Sequence, residues 1–251
     1  MKYIISLVVF ILSTSMLKAQ DVAVLLKVAE NYERDLKENE ALNQYILVLT
    51  NDPNNIKALV KTAEISCAIG ARTDNKNEKR LQYESALSFA KRALAADNNS
   101  ADANYAMAMV SGKMTEIETD NKKRIVWVID IKNYANRALA INPNHARANF
   151  VEGRWHYEMV TLNSVKRTAA KLINSDLPSS SLDSATFYLE KSRQLDPYFV
   201  QCYYYLNKAY KEDNKPTKQI EILNKMVKLP TRSIDDAPMK AAAAKELAEL
   251  Q

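Results

Sequence analysis

Glycine is scarce in this chain. Gly70, Gly112 and Gly153 are the only three in 251 residues, too few for the tight turns that a β-rich protein of this length needs. Histidine and cysteine are scarcer still, at two each. Two histidines and two distant cysteines cannot assemble a zinc site. There is no G-x-S-x-G, H-E-x-x-H or G-x-x-x-x-G-K stretch. Asp74-Asn75-Lys76-Asn77 has the alternation of a calcium loop but lacks its Gly and final Glu, and reads as a polar turn. No catalytic residue, metal ligand or cofactor motif is found, and the chain reads as a non-enzyme. The formal charge of +5 comes from basic runs interleaved with acidic ones, which does not point to nucleic acid.

Long hydrophobic runs are also missing, apart from Ile4 to Leu12 behind Lys2. That run has the length of a signal-peptide core and is too short to span a bilayer comfortably. Residues 1–19 are expected to be a cleavable signal peptide, cut between Ala19 and Gln20, with an uncleaved anchor as the alternative. The chain is then exported, to the periplasm or fully secreted. No second stretch is long enough to span a membrane. Export permits a disulfide, but Cys67 and Cys202 fall on first helices three repeat units apart. Units stack at about 10 Å, beyond bridging distance, so both are expected to be buried thiols.

What the sequence does have is a repeated helix end: T-N-D-P-N at 50–54, A-A-D-N-N at 95–99, A-I-N-P-N at 140–144 and Q-L-D-P-Y at 194–198. Twelve, eight and five residues before Pro53, Asn98, Pro143 and Pro197 stand Ala41/Tyr45/Val48, Ala86/Ala90/Ala93, Ile131/Ala135/Ala138 and Ala185/Leu189/Ser192. This is the second half of a tetratricopeptide repeat, A-x3-F-x2-A-x4-P. The expected fold is an all-α solenoid of about five tetratricopeptide-like helix pairs, with long inserts and a C-terminal capping helix. Residues 20–251 form one domain, with units near 22–55, 56–100, 101–145, 146–199 and 200–233 and the cap at 236–251. The close-contact position of the first helix holds Ala29, Ala63, Ala108 and Gly153. The fifth unit departs with Asn207, and Pro230 comes one residue early.

A plain unit has 34 residues, whereas markers 53, 98 and 143 are 45 apart and 197 follows after 54. The extra residues fall between the two helices of a unit. Arg72 to Lys79 and Glu118 to Lys123 read as solvated turns between lengthened helices. Leu162 to Asn174 reads as an additional helical stretch, followed by a loop over 175–181 with several helix N-cap candidates.

From about Asn136 the chain resembles a narrower group. Asn142-Pro143-Asn144-His145, Gly153-Arg154-Trp155-His156-Tyr157-Glu158, Lys166, Ala169-Ala170-Lys171-Leu172, Leu177-Pro178 and Leu189-Glu190-Lys191 follow one another. This is similar to the tetratricopeptide-like domain of the regulator of microtubule dynamics family. The resemblance implies the solenoid fold. It covers the C-terminal 115 or so residues well and the earlier units loosely. The eukaryotic members have been linked to microtubules and membrane-contact sites. An exported chain would have no tubulin to meet, so that role is not expected to transfer. Ile173-Asn174 also stands where family members tend to have an aromatic-glycine pair.

In this repeat class the first helices line a concave face. The fourth and fifth units place Arg147, Phe150, Arg154, Tyr157, Tyr204, Lys208 and Lys211 there, a basic and aromatic lining. The first unit supplies Glu30 and Glu33. Arginine forks and tyrosine faces are common interface anchors, so an acidic protein or peptide segment is the expected partner. His145 is expected to be solvated in its turn, and His156 to be a half-buried packing residue. Two roles fit: a scaffold or adaptor that binds through this groove, or a subunit of an envelope assembly or homo-oligomer with the groove incidental. The oligomeric state is left open.

Overall fold

The computed structural model describes residues 21–162 and 178–250. The expected signal segment, residues 163–174 of the additional helical stretch and loop residues 175–177 lie outside the described residues. Among the described residues the chain is eleven helices and no strand. They are α1 (residues 21–34), α2 (Glu38–Asn51), α3 (Ile56–Arg72), α4 (Lys76–Ala96), α5 (Ala101–Ile117), α6 (Asn121–Ile141), α7 (Ala146–Thr161), α8 (Leu182–Leu195), α9 (Val200–Glu212), α10 (Pro216–Met226) and α11 (Asp236–Leu250). Neighbours in sequence pack antiparallel as pairs. Alternate helices α3, α5, α7 and α9 also touch in succession, which makes a solenoid with one layer of first helices on its inner side.

The small residues set the spacing of the layers. Ala41, Ala86, Ala90, Ala93, Ala135, Ala138 and Ala185 on the second helices are fully buried, as are Ala63 and Ala108 on the first. Alanine loses no side-chain entropy on folding and lets backbones approach. The turns between units repeat one construction. Asn55, Ser100 and His145 cap α3, α5 and α7, each accepting the backbone N–H three residues on, at 3.0, 3.2 and 3.0 Å, a substitute for the missing intrahelical partner. Asn104 Nδ2 donates to the carbonyls of Asn98 and Ser100, at 3.1 and 2.8 Å. Asn149, 45 residues on in the same register, does the same to Pro143 and His145.

His145 is therefore not the solvated turn residue that its position suggested. Its side chain is 10% exposed, with Nδ1 occupied by the cap and Nε2 2.9 Å from Asp102. The expected polar turns at the inserts are shorter than the sequence suggested, because the extra residues lengthen helices. Both α4 and α6 run for 21 residues, and the connections are only 73–75 and 118–120. Asn75 and Asp120 each accept two backbone N–H groups of the turn that follows, so Lys76–Lys79 and Asn121–Lys123 start helices instead of forming loops.

At the C-terminal end α11 lies on α9 and α10. Asn207, the residue out of pattern, is 3% exposed, and its Nδ2 donates to Glu246 on α11 at 2.7 Å. Where earlier units place a small residue against the next helix, this one presents an amide to a carboxylate. No helix among the described residues is long and apolar enough to cross a membrane.

Candidate functional site: the inner face of α7 and α9

Helical spacing places Arg147, Arg154 and Tyr157 on one side of α7, and Tyr204, Lys208 and Lys211 on one side of α9. The guanidinium of Arg147 lies 3.4 Å from the ring centroid of Phe199 and 3.4 Å from Asp196. That of Arg154 is 5.0 Å from Tyr205 and 3.6 Å from Glu158. Lys208 Nζ is 5.5, 5.2 and 5.6 Å from the rings of Tyr157, Tyr204 and Tyr205. A ring face is the negative end of its quadrupole and attracts each cation.

Of the seven predicted groove residues, the structure gathers Arg154, Tyr157, Tyr204 and Lys208 into one cluster. Arg147 stands at its edge with Phe199. Phe150 is buried, 5% exposed, and packs edge-to-face on Phe199 and Tyr205 at 4.8 and 5.6 Å. It supports the lining from below and presents no surface of its own. Lys211 turns toward the cap and pairs with Glu246 at 2.9 Å. Two residues of the cluster were missed, Tyr205 and Phe199. The run Phe199-Val200-Gln201-Cys202-Tyr203-Tyr204-Tyr205 carried that signal in its aromatic density.

The N-terminal half of the same face is acidic, and its acids are already partnered. Glu30 pairs with Lys57. Glu33 accepts from Tyr45 at 2.5 Å and Lys61 at 3.1 Å, and Lys61 also lies 3.0 Å from Glu64. Glu64 accepts from Tyr105 at 2.8 Å. Burial works to raise the Glu64 carboxyl, but the charges of Lys61 and Arg147 prevail and hold it below the usual range. Glu116 is likewise held low against burial, chiefly by Lys113, with the Tyr83 hydroxyl, which donates to it, and Arg154 contributing. The α7 arginines thus act on acids of α3 and α5.

The cysteines and histidines of the described residues are held in unreactive surroundings. Cys67 and Cys202 are buried and free, their thiols pushed up to about 12 by burial, so no thiolate is poised for attack. His156, 6% exposed, is pushed down to about 4 by burial and by Lys132, whose amine lies 3.1 Å from its Nε2. Lys132 pairs with the fully buried Glu152 beside it. No group of three metal-ligating side chains occurs among the described residues. A depression of about 390 Å³ between α8, α9 and α10, bordered by Phe187, Glu190, Tyr210 and Lys218, contains none of the groove residues.

Antiparallel helix pairs stacked through small residues, with a concave layer of first helices, define a tetratricopeptide-like α-solenoid, the fold of protein-interaction scaffolds. More narrowly, the chain belongs to the family described as Regulator of microtubule dynamics protein 1-3, whose model matches residues 24–251. Regulator of microtubule dynamics protein 3 of Bos taurus is 30% identical over 181 residues, 71% of this chain and 37% of that protein. The Rattus norvegicus protein 3 is 27% identical over 237 residues, 92% of this chain and 49% of its own length. Protein 1 of Mus musculus is 27% identical over 223 residues, 88% of this chain and 72% of that one. The chain thus spans half or less of the two protein 3 relatives. Among solved structures, the thermophilic tetratricopeptide protein TTC0263 of Thermus thermophilus superposes with a TM-score of 0.60 at 13% identity, covering 91% of this chain and 98% of that one. PilW, a type IV pilus biogenesis factor, does so with 0.54 at 19%, covering 92% and 93%. At these identities the likeness is one of fold.

Proposed function

We propose that the chain is a non-catalytic scaffold that holds an acidic segment of a protein partner between α7 and α9, and that it works outside the cytosol after export. The observation that carries this reading is Lys208. Its ammonium is surrounded by three tyrosine rings, and among the described residues no carboxylate lies within ion-pair distance of it. A cation held on aromatic faces and without an internal counter-ion is ready for an incoming carboxylate. A hydrogen bond to a charged group contributes about 1.5–3 kcal/mol. Arg154 can join it, since its 3.6 Å contact with Glu158 on the same helix is of a kind worth about 0.3–0.5 kcal/mol. Regulation of microtubules, which names the relatives, has no cytosolic target if the chain is exported.

The test is affinity capture from the native envelope fraction, with the parent beside an Arg154→Glu/Lys208→Glu variant that folds normally. A partner captured by the parent and lost by the variant is the expected result. Equal capture by both overturns the groove reading. One observation favours the second reading, an assembly subunit. Leu81 and Val126 stand in the same register of adjacent units and are 65% and 56% exposed. In that case capture survives the groove changes and is lost in Leu81→Ser/Val126→Ser.

A further inference from the structure

The second and third helices meet the start of the C-terminal cap. Arg72, the last residue of α3, donates from Nη1 to both carboxylate oxygens of Asp235 at 3.0 Å, across 163 positions of sequence. Its Nη2 donates to Glu38, the first residue of α2. Among the described residues this is the one polar contact between residues 21–75 and residues 178–250. The helices of the inner layer touch in series from α3 to α9, and α11 follows on α9. A bond from the start of α11 back to the end of α3 therefore links these two elements directly as well as through the series of inner helices.

Asp235 is presented by a fixed turn. The next residue, Asp236, is 6% exposed and accepts the N–H groups of Arg232 and Ser233 and the Ser233 hydroxyl, at 2.7, 2.9 and 2.7 Å. The triad itself is open to solvent: the Arg72, Glu38 and Asp235 side chains are 28%, 18% and 36% exposed. Two carboxylates share one guanidinium, so the contact has an anion in excess. Burial outweighs the Arg72 charge and holds the Glu38 carboxyl above its usual range, with Asp235 adding to the rise. Such a contact is weak, exchangeable and sensitive to salt.

We propose that Glu38, Arg72 and Asp235 form an electrostatic clasp that joins α2 and α3 to the start of α11 and limits entry to the concave face. As a statement about access it rests on the groove being the partner site, and its test uses no partner. Spin labels at Glu40→Cys and Thr231→Cys, both exposed, report the distance across the clasp, while the buried Cys67 and Cys202 stay unlabelled. The parent should give one narrow distance distribution. Asp235→Asn, or 1 M salt with its Debye length of about 3 Å, should lengthen and broaden it. The reversed pair Arg72→Glu/Asp235→Arg should restore it.

In parallel, a bulky amine-acylating reagent should modify Lys208 about threefold faster in Asp235→Asn, the scale of one surface ion pair, with the exposed Lys91 unchanged. A distance distribution indifferent to Asp235→Asn and to salt overturns the clasp. An opened clasp with unaltered Lys208 labelling overturns its control of access. Neither result depends on whether the groove-charge variants lose a partner, so failure of the clasp and failure of the groove reading are separate outcomes.

Discussion

Gly153 and Leu189 meet where α7 crosses α8, and the absence of a side chain at 153 is what permits the crossing. A Cβ on Gly153 would lie 2.7 Å from Leu189 Cγ, 2.9 Å from the Leu189 backbone N and 3.0 Å from the Ala185 carbonyl oxygen. Two of those three neighbours are backbone and cannot step aside. Gly153→Ala should therefore force the helices of this pair apart, at an overpacking cost of about 1–3 kcal/mol, and Gly153→Leu should cost at least as much. Gly112 is the control. A Cβ there finds Ile131 Cδ1 at 3.8 Å, so Gly112→Ala should stabilise by about 0.4–1 kcal/mol. Urea midpoints that move alike for the two alanine variants would contradict this packing.

The cap should be sensitive to one carboxylate. Glu246 accepts from Asn207, Lys211 and Gln219, at 2.7, 2.9 and 3.1 Å. Glu246→Ala leaves the buried Asn207 amide without its partner, a loss of about 1–3 kcal/mol. Hydrogen exchange should rise in α11 first and in α9 and α10 next, with α3 and α5 unaffected. The charge has a pH signature as well. Burial works to raise the Glu246 carboxyl, but its hydrogen bonds and Lys211 hold it below the usual range. Its contribution is thus present above the unfolded carboxylate range and is lost as pH falls through the lower folded value. Protection of α11 should fall in acid in the parent, and the Glu246→Ala variant should lack that dependence.

His156 gives a second pH dependence. Its folded pKa is about 4 against 6.5 for the free side chain, through burial first and the Lys132 charge second. Between those values the unfolded chain binds more protons, so stability rises with pH across the window and the histidine destabilises progressively as pH falls through it. His156→Phe should flatten the curve of stability against pH between 4 and 6.5, and should leave partner capture unchanged. Capture abolished by that substitution would assign the ring a role that packing does not explain.

The fold was legible because helices that cross closely need small or apolar residues at the contact, and such residues recur at fixed distances from Pro53, Pro143 and Pro197. The inserts were harder to read. A helix N-terminus and a loop are both polar, so Lys76–Lys79 reads as a turn in the sequence, whereas Asn75 caps α4 there. His145 was misjudged for a related reason, since a turn position says nothing of an Asp102 that approaches from the first turn of α5, 43 residues earlier. In the groove, register put Arg154 and Tyr157 on one helix and Tyr204 and Lys208 on another, and the structure brings those side chains together. It could not foresee that Lys211 is taken by Glu246 while Lys208 is not, because pairing across helices depends on rotamers and on the cap. Tyr205 was missed because one residue is about 100° of rotation, and its ring reaches back to Arg154 and Lys208 all the same.

Whether the concave cluster is the working surface is tested most directly by site-specific photocrosslinking in intact cells of the native source. A photoreactive phenylalanine at Tyr204, beside Lys208, is compared with one at Leu81 on the outer edge, each with Lys208 intact or changed to Glu. A discrete adduct from position 204 that disappears with Lys208→Glu, and none from position 81, is the expected result. An adduct from position 81 alone, or one from 204 indifferent to the charge at 208, would contradict a partner held in the groove.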